Sequence, residues 1–99
     1  MIRGTTPTLR FYLPFSVELL EVVYITMQQD GAKVVEKTLD DCEADENMIS
    51  FRLTQDETLE FADSQWVEIQ VRVRMKSGEA LASQIERTTV QRILKDGVI

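Results

Sequence analysis

Apolar and polar side chains alternate along most of this chain. From Thr8 to Phe15, Leu9, Phe11 and Leu13 share one face while Arg10 and Tyr12 share the other, the period of two that a half-buried strand requires. Pro14 bends or ends that strand. Glu21 to Gln28 sets Val23, Ile25 and Met27 against Val22, Tyr24 and Thr26, and Asp30-Gly31 then supplies the positive φ angles of a tight hairpin turn into a returning strand, Lys33 to Leu39. Alternation resumes over Asn47 to Leu53, with Ile49, Phe51 and Leu53 inward. It is clearest over Val67 to Met75, where Val67, Ile69, Val71, Val73 and Met75 face in and Glu68, Gln70, Arg72 and Arg74 face out. Ile69 and Val71 are the expected centre of the core. Lys76-Ser77-Gly78-Glu79 is a turn, Ala80 to Glu86 its partner strand, and Thr88 to Leu94 a last strand.

Two stretches break the pattern. Residues 40–46, "DDCEADE", carry five acids and no apolar residue larger than cysteine, and read as a solvated loop. In "LTQDETLEF", residues 53–61, Thr54 is placed to cap a helix and Glu57, three residues on, completes a capping box. One helical turn at 54–60 follows, with Asp56 and Glu57 in the first turn, where the helix dipole favours acids. Leu59 and Phe61 would then plug one end of the core. The expectation is a single all-β domain over 1–99: an antiparallel β-sandwich, Ig-like or jelly-roll-like, of about seven strands with one short helical turn. An open barrel is the nearest rival.

Composition narrows the function classes. Ninety-nine residues with 43% hydrophobic content suit one domain that folds without metals or several disulfides. The formal charge of −6 repels a phosphate backbone, so nucleic acid is not an expected partner. No run approaches the ~18 apolar residues of a membrane span, and Met1 to Pro7 lacks the regions of a signal peptide; synthesis in a cytoplasm is expected. Cys42 is the only cysteine, and its acidic neighbours disfavour a thiolate, so its role is structural or incidental.

Candidate chemistry is sparse. With no histidine, Ser-His and Cys-His nucleophile pairs and histidine metal sites are excluded. The four glycines are dispersed and form no phosphate loop. Residues 40–46 lack the alternating oxygen ligands and central glycine of a calcium loop. Seventeen acids offer no marked pair across a cleft. No enzyme activity, cofactor or metal is therefore expected. Arg72 and Arg74, with Arg52 and Arg10 on neighbouring strands, form either an anion-binding stripe or, the favoured reading, cross-strand partners of acids such as Glu68 and Glu36.

"LTQDETLEF", followed by "WVEIQVRVRMKSGEALASQ", resembles the middle of small β-sandwich proteins of bacteriophages and prophages, in which a Leu-Thr-x-x-Glu-Thr corner leads to a Gln-Val strand. The opening "RGTTPTLRFYLPF" and the closing "VQRIL" resemble the same mostly uncharacterised family, so the similarity covers most of the chain. It implies a fold and a phage origin, made in the bacterial cytoplasm and carried into the virion, but no catalytic residues. The implied role is a baseplate, tail, fibre-base or head component that binds other phage structural proteins. The alternative is a free regulatory protein bound to a host protein. Isolated, the chain is expected to be a monomer or weak homo-oligomer.

Three aromatics, Tyr12, Tyr24 and Trp66, fall on outward registers and are the candidate partner anchors, since aromatics bury much area at little entropic cost. For Trp66 a competing and favoured reading is a lid: a bulge at the strand start would fold it over Phe61.

Overall fold

The computed structural model describes residues 1–99. Alternating segments become strands β1 (Thr8–Tyr12), β2 (Leu20–Gln29), β3 (Ala32–Thr38), β5 (Met48–Arg52) and β6 (Trp66–Met75). Three shorter strands complete the set: β4 (Glu43–Asp45), β7 (Ala80–Ala82) and β8 (Glu86–Thr89). They form two antiparallel sheets, one in the order β1-β5-β4, the other β3-β2-β6 with both β7 and β8 on the far side of β6. Between the sheets lies one cluster of buried apolar residues. Ile49, Phe51 and Leu53 enter it from the smaller sheet, and Val23, Ile25, Met27, Val35, Val67, Val71, Val73 and Met75 from the larger. The chain is therefore an all-β sandwich, as its pattern predicts. No helix is long and apolar enough to cross a membrane.

The β2–β3 hairpin turns through Asp30 and Gly31, whose φ angles of 50° and 75° are the two positive values of the predicted turn. Alternation with Val23, Ile25 and Met27 carries the Gln29 side chain inward, where its amide accepts from Ala62 N–H and donates to Ala62 C=O, both at 2.8 Å. A buried amide is tolerated there because both of its ends are satisfied.

Three expectations need correction. The "DDCEADE" stretch is not all loop: Leu39–Asp41 makes a 3-10 turn and Glu43–Asp45 becomes edge strand β4, paired with β5. The predicted strands 80–86 and 88–94 are one return strand interrupted at 83–85. The pairs Arg72↔Ala82 and Ile69↔Glu86 differ by one residue in register, a β-bulge that separates β7 from β8, and no strand continues beyond Thr89. At the bulge Ser83 replaces a ladder partner, its N–H donating to Val71 C=O (2.8 Å) and its hydroxyl accepting from Val71 N–H (3.0 Å). Ile69 lies beside this interruption and is only partly buried, so the centre of the core passes to Ile25, Ile49 and Val67.

Candidate interaction surface

The "LTQDETLEF" corner forms as its residue types dictate. The Thr54 hydroxyl accepts from Glu57 N–H (3.1 Å), and the Glu57 carboxylate accepts from Thr54 N–H (2.9 Å), opening helix α1 (Gln55–Leu59). Glu57 also pairs with Lys37 of β3. Burial is the largest single influence on its carboxyl and opposes ionisation, but the Lys37 and Thr54 donors together outweigh it and hold the carboxyl below its ordinary value. Leu53 and Thr58 are fully buried, and the Thr58 hydroxyl donates to Thr5 C=O (2.8 Å). Phe61 plugs the core end, while Leu59 is half-buried against the N-terminal lead at Gly4. Every residue of Leu-Thr-x-x-Glu-Thr thus has a structural task, and the corner offers no open chemistry.

Cys42 is half-buried and donates to Thr38 C=O (3.3 Å). Its thiol is pushed up first by burial and then by the Asp41 charge. Acidic neighbours alone were the expected cause; burial is the larger one.

The three aromatic candidates are exposed but separate. Tyr12, 73% exposed, lies on the smaller sheet; Tyr24 (46%) and Trp66 (56%) lie on the larger one, beside Arg72 and Thr89 respectively. The lid reading of Trp66 fails: β6 begins in regular register at Trp66↔Thr89, so alternation carries the indole outward, and Phe61 is buried without it. Trp66 instead borders an open polar concavity of about 490 Å³ with Asp30, Ser64, Gln65, Glu68 and Arg87.

The arginine stripe also dissolves. Arg72 and Arg74 belong to β6, whereas Arg10 belongs to β1 and Arg52 to β5 of the other sheet. Arg74 lies 3.9 Å from Glu21, and Arg52 donates to the Thr6 hydroxyl (2.9 Å). The expected acids have other partners: Glu68 pairs with Arg87 (3.8 Å) and Glu36 with Lys33 (3.3 Å). Of the four arginines only Arg74 therefore pairs with an acid across strands, and Arg10 and Arg72 take part in no ion pair.

What remains is a side of the sandwich on which β1 edges one sheet and β7 the other. There Tyr12, Leu13 and Phe15 face Leu81 and Ala82 across a groove of about 340 Å³, with Val71 and Val73 on its floor. Leu81 is exposed, so apolar surface and unpaired strand edges coincide. The outward register identified Tyr12 in advance. Leu13, Phe15 and Leu81 were missed because they sit on the inward register and are uncovered only by the position of their strands at the sheet edges.

No family model, curated protein or solved structure matches this chain.

Proposed function

We propose that this protein is a non-enzymatic structural or accessory module of a bacteriophage particle, acting through protein–protein assembly. One observation carries the assembly reading: an apolar groove opens between two free strand edges, a combination that offers backbone hydrogen bonds and apolar burial to the same partner. The phage setting is supported by the motifs "LTQDETLEF" and "WVEIQVRVRMKSGEALASQ". Tyr12 is the anchor on this surface; Tyr24 and Trp66 stand apart from it.

The test is mass spectrometry of phage particles purified from a bacterium that carries the gene. The chain is expected at a constant ratio to the major particle proteins through successive purification steps. Abundance in the cell with absence from particles overturns the reading in favour of a free host-interaction protein. Tyr12→Ser should leave the melting temperature nearly unchanged, because the ring is exposed, while reducing incorporation.

A further inference from the structure

The smaller sheet ends in two edges of opposite charge. On β1 the only charged residue is Arg10, which takes part in none of the five ion pairs of the molecule. On and around β4 lie Asp40, Asp41, Glu43, Asp45 and Glu46, none of them in an ion pair either. Both strands are antiparallel to β5, so β1 and β4 run in the same direction.

The hydrogen-bond ladder decides which backbone groups are free. Leu13 N–H donates to Asn47 C=O (2.7 Å) and Leu53 N–H to Pro7 C=O (2.9 Å), so the odd-numbered residues of β1 face β5. Thr8, Arg10 and Tyr12 therefore turn their N–H and C=O groups to the open edge. The same alternation turns Met48 and Ser50 of β5 toward Asp45 and Glu43. It leaves the N–H and C=O of Ala44 on the outer rim of β4. The segment Ser16–Glu18 closes that rim at one end, where Val17 N–H donates to Glu46 C=O (2.7 Å), and along Ala44 the rim borders an open concavity of about 720 Å³ with no strand paired to it.

We propose that β1 of one molecule pairs in parallel with β4 of a second copy, head to tail, joining the small sheets into one continuous sheet. The proposal rests on the assembly reading and names the partner of the β1 edge. In a parallel ladder each bonded residue connects to the two neighbours of the residue opposite. Arg10, with its free groups, thus lies opposite Glu43 or Asp45, flanking Ala44. Parity then sets outer face on outer face, and the unpaired guanidinium meets unpaired carboxylates. The other pairings between edges of the smaller sheet do not: β1 against β1 brings no carboxylate to Arg10, because Thr8–Tyr12 contains none, and β4 against β4 opposes acids to acids. Pro7 and Pro14 bracket β1 and keep the contact short, so association rises with concentration and weakens with salt. A head-to-tail contact repeats, giving a ring where the rotation closes and a filament where it does not.

Sedimentation velocity of the full chain over a concentration series, at low and at high salt, tests this. The parent chain should form species larger than a dimer at low salt and lose them at high salt. Arg10→Glu alone should be monomeric, as should Glu43→Lys combined with Asp45→Lys. A chain carrying all three substitutions should associate as the parent does, since each contact again joins opposite charges, and that recovery also shows the substituted chains fold. A monomeric parent at every concentration, a partial variant that still associates, or failure of the triple variant to recover overturns the proposal. Particles that contain a chain unable to self-associate would reject head-to-tail pairing while leaving the assembly reading intact.

Discussion

Thr58 is a polar side chain that belongs to the core because its hydroxyl is spoken for. It donates to Thr5 C=O and sits close to Gln55 C=O (3.2 Å), so burial leaves no orphaned donor. Thr58→Val keeps the shape and removes the donor; a loss of about 1–2 kcal/mol is expected in chemical denaturation, from the carbonyl left unpaired. Trp66 is the contrasting case. With more than half of its surface exposed, Trp66→Ala should cost no more than about 1–2 kcal/mol, where a core lid would cost about 3–5. Glu57 gives a pH signature. Its folded carboxyl titrates below the ordinary value of 4.5, so its contribution is present above that value and is lost as pH falls through the depressed one. Melting temperatures of Glu57→Gln should accordingly be lower than the parent's near neutrality, and the gap should narrow as acid protonates Glu57 in the parent.

Elements here differ in how they are held, and that decides how well each could be read from the sequence. Ser83 bridges the bulge between β7 and β8, and Ser83→Ala should release the Val71 amide, raising its hydrogen-exchange rate and costing about 1 kcal/mol. Strands β1, β2, β3, β5 and β6 were legible because one face of each is apolar, and α1 because Thr54 and Glu57 carry its capping box. Strand β4 was not. Glu43, Ala44 and Asp45 present no apolar side chain larger than a methyl group, so their pairing is specified by the backbone of β5 alone. The return strand was bounded wrongly for a related reason: residues 80–89 are exposed except for Thr88, so alternation marks neither the interruption at 83–85 nor the end at Thr89. Of the groove, only Tyr12 was legible. Its approach to Leu81 joins positions on different sheets, and local periodicity holds no record of such neighbours.

At the scale of the molecule, the stretch before β1 is fastened to the far end of the chain. The Met1 ammonium donates to Thr89 C=O (2.9 Å), Gln91 N–H donates to Met1 C=O (2.8 Å), and Arg3 N–H donates to Gln91 C=O (3.1 Å). The Arg3 guanidinium then donates to Phe61 C=O (2.8 Å) and Leu59 C=O (3.0 Å), satisfying carbonyls at the end of α1 that no helical partner reaches. Nothing in the local sequence marks Arg3 for this task. Arg3→Ala should cost about 2 kcal/mol in equilibrium denaturation, since charge-assisted bonds to buried carbonyls are worth more than neutral ones. Gly4 turns the chain just beyond it with a φ of +72°, a conformation that disfavours a side chain, and a methyl group there would also crowd the end of the Ile93 side chain at 3.1 Å. This seam also has a bearing on biosynthesis. The lead before β1 finds its partners only once Thr89 and Gln91 have been made, so it stays undocked while the strands between them are synthesised. Hairpins β2–β3 and β6–β7 close over short separations and can form meanwhile, whereas the seam joins Met1 to Thr89, 88 positions apart, and so carries a larger loop-closure cost.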